Sequence, residues 1–137
     1  MSKIIPALTG KELIGKAFSN QSVRYWHISD KVLRLPTLTQ VVNILNNFTV
    51  LKYAIEIGDC DNRALLLAAK FVEKGLAIAM IDVEQLDLGE NHPDYRHQMC
   101  AVILDKDPPT VLVIEPSTGH MFEPNELLRL TFVDLRT

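Results

Sequence analysis

Cys60 stands in the run Gly58-Asp59-Cys60-Asp61, just ahead of a strongly apolar helical segment. A thiol at a helix start meets the positive end of the helix dipole and unpaired backbone N–H groups, which favour the reactive thiolate. The same N–H groups suit an oxyanion formed during acyl transfer. Gly58 lets the backbone turn sharply there. Asp59 and Asp61 act in the opposite sense, raising the thiol pKa unless they point away or cap the helix. A nucleophilic cysteine needs a base, and the base needs an acceptor that orients it. His97 opens one strand-like run and Glu115 closes the next. If the two runs pair antiparallel through a turn at 105–109, these polar ends lie side by side. Alternation puts His97, Met99, Ala101 and Ile103 on one face, and Gln98, Cys100 and Val102 on the other. Val111, Val113 and Glu115 share a face in the same way. With the His97 face covering the helix, both polar ends fall near Cys60, and Cys100 points away from it.

The elements that must position these groups follow from period and punctuation. Thr9 with Glu12 makes a capping box, and Leu13, Ile14, Ala17 and Phe18 continue at helical spacing, predicting a helix over 10–18. Residues 23–28 are β-branched and aromatic, hence extended. Pro36 precedes a second capping box, Thr37 with Gln40, opening a helix that ends at Asn46-Asn47. Residues 51–57 are extended. The next helix is apolar over 64–72 except for Lys70 and ends at Lys74-Gly75. A helix apolar on most of its circumference belongs at the centre of a domain. Residues 76–83 are apolar on both faces and belong inside a sheet. A loop over 86–96 precedes strands at 98–104 and 111–114. Ser117-Thr118-Gly119 turns the chain, Pro124 opens a short helix through Leu128, and 131–135 is a last strand. The fold expected is α+β: N-terminal helices followed by an antiparallel sheet packed on a central Cys-bearing helix.

Composition bounds the function. The chain has 137 residues, 47% of them hydrophobic and 23% charged, with a net charge of -3. That length fits one domain, 1–137, able to bury its core without disulfides. The apolar fraction excludes intrinsic disorder. No apolar stretch reaches the roughly 18 residues of a membrane span. The mild acidity argues against nucleic acid as a partner, since phosphate binding wants a basic surface. The N-terminal apolar stretch is too short for a signal peptide, so a cytoplasmic location is expected, with Cys60 and Cys100 as thiols.

Gly58-Asp59-Cys60-Asp61-Asn62-Arg63-Ala64-Leu65 resembles the Cys-helix motif of the transglutaminase-like cysteine peptidases. The segment 97–102, His-Gln-Met-Cys-Ala-Val, resembles their histidine strand, and 113–119, Val-Ile-Glu-Pro-Ser-Thr-Gly, their acidic strand end. The order Cys, His, acid matches as well, and the likeness is nearest to small stand-alone phage and bacterial members. The resemblance implies a papain-like core with Cys60 as nucleophile, His97 as general base and Glu115 orienting the imidazole. Trp26, Gln40 and Asp61 become candidates for oxyanion or substrate contacts. It implies a hydrolase or acyltransferase acting on a peptide or isopeptide-like amide, with a protein or peptide substrate and no cofactor. The alternative is an inactive transglutaminase-like module that binds a protein partner, because fold does not imply function. The sequence departs from the family pattern in Arg96 and Gln98 beside the histidine and in Glu for the usual Asp.

Plainer roles are open to the remaining polar residues. Cys100 and Met99 lie mid-strand and read as core. His27 sits in an apolar-aromatic run and reads as a satisfied core histidine. His92, His97, His120, Glu90 and Asp94 would make a metal-dependent hydrolase the third possibility. Zinc wants tighter, repeated ligand spacing, so these read as solvated loop residues and no metal is expected.

Overall fold

Ala64, Leu67, Ala68 and Phe71 recur at i, i+3, i+4 and i+7 along a helix, α3 (Cys60–Glu73), and all four are buried. Leu65, Leu66 and Val72, from the same apolar run, are exposed. The helix therefore buries one stripe and is not the centre of the molecule; consecutive apolar residues were divided between a buried and a solvent face. It ends at Gly75, whose φ is +68°. There Gly75 N–H donates to Val72 O (2.9 Å) and Leu76 N–H to Phe71 O (3.0 Å). This pair of bonds defines a Schellman motif and satisfies the last carbonyls.

A computed structural model describes residues 3–19, 23–51 and 60–137, the side chains of 49–62 excepted. The other helices are α1 (Ala7–Ala17) and α2 (Leu38–Leu51). The strands are β1 (Ile4–Pro6), β2 (Tyr25–Ile28), β3 (Val32–Arg34), β4 (Ile78–Gln85), β5 (Arg96–Leu104), β6 (Thr110–Ile114), β7 (Met121–Phe122) and β8 (Leu128–Arg136). At the start of α2 the capping box closes both ways: Thr37 N–H donates to Gln40 Oε1 (2.9 Å), and Gln40 N–H to Thr37 Oγ1 (3.2 Å). The first helix starts at Ala7, ahead of the Thr9 box, because Pro6 supplies an extended N-cap and Ala7 N–H finds Lys31 O at 2.9 Å. Gly10 then lies against β3, where an added Cβ would come within 2.5 Å of Leu33 Cδ1.

Six strands form one sheet in the order β2-β8-β4-β5-β6-β7, and β1 pairs with β3 in a separate antiparallel ribbon. One core lies between the sheet and α1 with the ribbon: Ile14, Phe18 and Leu33 meet Ile81, Met99, Ala101, Ile103 and Val133. The other lies between the opposite face and α2 with α3: Val41, Ile44, Leu67 and Phe71 meet Ile78, Cys100, Val102 and Leu104. The sheet, not a helix, is the middle layer.

These layers correct the expected fold class. The papain-like arrangement with a central helix gives way to a sheet covered on both sides. The sheet is also mixed, since β2 runs parallel to β8 while the other pairings are antiparallel. No helix forms after Pro124. Leu127 N–H instead donates to Asn125 Oδ1 (2.9 Å), an Asx turn that starts β8 at Leu128.

Candidate functional site: a polar cleft at one end of the sheet

Ile78 and Met80 share a face of β4 with Asp82 and Glu84, so this sheet face turns polar towards the end of the strand. Register lines up two rows across it. Tyr25, Phe132, Asp82 and Gln98 are successive partners on β2, β8, β4 and β5. One step outward, Arg129, Glu84 and Arg96 are partners on β8, β4 and β5. The pairing shifts between Asp82 and Val83, leaving Thr131 as the extra residue of a bulge, with its Oγ1 donating to Asp82 O at 3.1 Å. The rows line a cleft of about 730 Å³, flanked by Arg24 and by His97.

Within the first row, the Tyr25 and Phe132 rings stack with centroids 5.2 Å apart and planes 8° apart. Tyr25 is 53% exposed, so its outer face is open. Beside them Gln98 Nε2 donates to Asp82 Oδ1 at 2.7 Å. In the second row Arg129 Nε donates to Glu84 Oε1 at 2.6 Å.

His97 borders the cleft from β5, but it alternates with Gln98 and shares the opposite, α1-facing side of the sheet with its partner Val83. Its Nε2 lies 2.6 Å from Glu115 Oε2, both side chains being less than one-fifth exposed. Ser117 donates to the other oxygen of Glu115, from Oγ at 2.6 Å and from its backbone N–H at 3.2 Å. The turn over 115–119 closes on Gly119, at φ +75°, whose N–H donates to Glu115 O. Burial pushes the Glu115 pKa up, but hydrogen bonds from His97 and Ser117 and the nearby imidazole outweigh it and hold the carboxyl below its usual range. An ionised Glu115 accepts on both oxygens and so makes Nε2 the protonated nitrogen of His97.

His97 and Glu115 thus come together. The backbone of Cys60 opens α3, but its side chain and that of Asp61 lie outside the described residues, as do Gly58 and Asp59. The expectation that the His97 face of β5 covers this helix is corrected. Cys100, Val102 and Leu104 pack on α3, whereas Met99, Ala101 and Ile103, in phase with His97, face α1. Gln40 caps α2, and Trp26 packs on the side of α1 with Lys11 Nζ 5.3 Å from its ring; neither lines the cleft.

The remaining candidates are placed as follows. Cys100 is fully buried with Sγ 3.5 Å from Ala64 O, and burial, then the Glu115 charge, pushes its thiol far up, which makes it inert. His27 is not a core residue: it is half-exposed on the edge strand β2, 3.0 Å from Asp134. His92 Nδ1 accepts the N–H of Asp94 at 3.0 Å. Among the described residues no three His, Cys, Asp or Glu side chains cluster as metal ligands. No described helix is long and apolar enough to cross a membrane.

Compared with known proteins, the sequence matches no family model and no curated protein. Solved structures do match. A PSL1a–E64 complex superposes with a TM-score of 0.74 at 15% identity, over 95% of this chain and 50% of that chain. A Polyporus squamosus lectin bound to the human-type influenza-binding epitope Neu5Aca2-6Galb1-4GlcNAc superposes at 0.66 and 16% identity, over 95% and 49%. This is a likeness of fold. The chain spans about half the length of each chain it matches.

These neighbours overturn the resemblance to transglutaminase-like cysteine peptidases. The cysteine hydrolase or acyltransferase reading, and that of an inactive transglutaminase-like module, rested on that resemblance and lose its support with it. A protein or peptide substrate has no support from them. Part of the motif has a local structural role: Glu115-Pro116-Ser117-Thr118-Gly119 is a strand end and a hydrogen-bonded turn.

The residues that sequence reasoning missed are Arg24, Tyr25, Asp82, Glu84, Arg129, Thr131 and Phe132. One signal was available. Asp82 and Glu84 continue the Ile78–Met80 face of β4, and a strand face that changes from apolar to charged has left the core.

Proposed function

We propose that the cleft binds a saccharide. The observation that carries this reading is the row Tyr25, Phe132, Asp82 and Gln98. It sets an exposed aromatic stack beside a carboxylate and an amide already fixed by their mutual hydrogen bond. A sugar ring offers an apolar C–H face and a rim of hydroxyls. The aromatic face supplies rigid apolar area for the first, and the Asp82 oxygens and the Gln98 amide accept from and donate to the second. Such a mixture of aromatic surface and a few converging polar groups is what small-ligand sites present. The superposition on lectin chains, one of them bound to Neu5Aca2-6Galb1-4GlcNAc, supports the same reading.

The test is an NMR titration with Galb1-4GlcNAc and with its sialylated form Neu5Aca2-6Galb1-4GlcNAc. Amide shifts should move in the segments around Tyr25, Asp82 and Gln98. Tyr25→Ala removes an exposed ring without opening the core, and should weaken binding about tenfold, near 1.4 kcal/mol. Unmoved spectra at millimolar sugar, or full affinity in Tyr25→Ala, would overturn the proposal.

A further inference from the structure

The face of β4 that bears Asp82 and Glu84 continues past them. Leu86 is next in phase, and its N–H donates to Leu127 O at 2.8 Å, one pair beyond Gln85 and Leu128. Leu127 is in phase with Arg129, whereas Leu128 and Leu130 are buried in the core on the other side of the sheet. A third row therefore follows the aromatic row and the arginine–glutamate row, and it is apolar. Leu86 is 40% exposed and Leu127 48%, with Leu88 at 37% on the turn that follows. Hydrogen bonds pin this ledge. Asn125 accepts from the N–H groups of Leu127 and Leu128, and Gln85 donates from N–H to Tyr95 O and from Nε2 to Asp94 O.

Size, charge and distance together select what covers the ledge. A protein interface takes about 800 Å² from each partner. Three leucines, each no more than half exposed, fall far short of that but suffice for one alkyl chain. Asp87 and Glu126, both exposed, adjoin the leucines in the chain and would repel a fatty-acid carboxylate or an anionic lipid surface. Leu86 lies four residues beyond Asp82 along β4, roughly 13 Å at 3.3 Å per residue. A molecule that reaches from the aromatic row to the leucines therefore needs an uncharged, hydroxyl-rich part of about two sugar rings before its chain begins. The second ring then lies over Arg96 and the Arg129–Glu84 pair, whose N–H groups and carboxylate oxygens suit hydroxyls.

We infer that the ligand is an alkyl glycoside, its outer ring on the aromatic row, its inner ring on the arginine–glutamate row and its alkyl chain on Leu86 and Leu127. This rests on the saccharide reading and adds a separate site for the aglycone, with the two residues that form it. An oligosaccharide without an apolar tail leaves the third row bare.

The decisive comparison is between the methyl and octyl β-glycosides of Galb1-4GlcNAc, which share every hydroxyl and differ only in the chain. Calorimetry below the micelle-forming concentration should show the octyl glycoside binding about tenfold more tightly, the worth of burying about two methylene groups. The advantage should persist at high salt, since no charge is involved. Octanol alone should not bind at the same concentration. Replacing both leucines, Leu86→Ser with Leu127→Ser, should bring the octyl glycoside down to the affinity of the methyl one. The methyl glycoside should stay within about twofold of its wild-type value, which also shows that the variant folds. Leu65→Ser, at an exposed leucine on α3, should leave the preference intact. Equal binding of the two glycosides to the wild type would overturn the inference while leaving saccharide binding standing. An octyl preference that survives the double substitution, or octanol binding as tightly as the octyl glycoside, would also overturn it. Failure of both glycosides to bind would remove the saccharide reading and the inference together.

Discussion

Replacing Phe71 with alanine is expected to cost about 3–5 kcal/mol, the usual range for deleting a buried phenylalanine side chain. Phe71 is fully buried in the core that joins α3 to the sheet, beside Leu67, Cys100 and Val102. Stabilities of small domains run to about 5–15 kcal/mol, so the loss is a large share of the total. Leu65, from the same apolar run, is 55% exposed, and Leu65→Ala should stay within about 0.5 kcal/mol. The contrast separates a helix with one buried stripe from a helix buried all round, in which both changes would be severe. Urea unfolding measures it: the Phe71→Ala midpoint should drop by more than 1 M for a slope of about 1–3 kcal/mol per M, with Leu65→Ala unmoved. Similar losses for the two would restore the central-helix picture.

Local signals in the sequence were sufficient where an element is settled by its own residues. Lys74-Gly75 marks the end of α3 because only a positive φ closes the Schellman bonds there, and Thr37 with Gln40 marks the start of α2 by reciprocal bonds within four residues. Period and composition place β4, β5 and β6 to within a few residues for the same reason. Choices between distant partners were not legible. Met99, Ala101 and Ile103 are as apolar as Cys100, Val102 and Leu104, so alternation in β5 cannot say which face receives α3. Tyr25 to Ile28 reads as extended, but nothing local says that it joins β8 in parallel across more than a hundred residues.

The candidate site follows the same division. His97 and Glu115 could be brought together on paper because a short turn joins their strands, and their 2.6 Å contact is a consequence of that hairpin. The cleft could not, since its rows draw one residue each from β2, β4, β5 and β8, and their order in space depends on the sheet topology. The bulge at Thr131 adds a further displacement, which decides that Arg129 and not Leu130 partners Glu84. Three motifs in the right order were therefore compatible with a papain-like arrangement around a central helix that the layers of this sheet do not share.

Acid should destabilise the protein through two carboxylates. Glu115 accepts from His97 and Ser117, and Asp134 accepts from Arg136 at 2.6 Å and from His27 at 3.0 Å. In both, burial works to raise the pKa, but the hydrogen bonds and neighbouring cations prevail and the folded value lies below the ordinary one. A carboxylate whose pKa is lower folded than unfolded binds fewer protons in the native state. Its stabilisation is complete above the unfolded values, about 3.9 for Asp and 4.3 for Glu, and fades as pH falls through the lower folded values. The melting temperature should hence be flat from pH 7 to about 5 as far as these two groups are concerned, and fall steeply below about 4. Glu115→Gln keeps the shape but removes the charge; at pH 7 it should cost about 1.5–3 kcal/mol, the worth of charged hydrogen bonds in a sheltered site. For a chain of this length that is about 3–5 °C of melting temperature per kcal/mol. At pH 2–3, where the wild-type carboxyl is being protonated, the gap between the two proteins should close, and Asp134→Asn should behave in the same direction. Scanning calorimetry from pH 7 to 2 reads both limbs. An acid limb as steep in a variant combining Glu115→Gln with Asp134→Asn as in the wild type would show that other groups carry the acid sensitivity. A Glu115→Gln protein as stable as the wild type at pH 7 would mean that the His97–Glu115 bond contributes nothing to holding β5 and β6 together at this end.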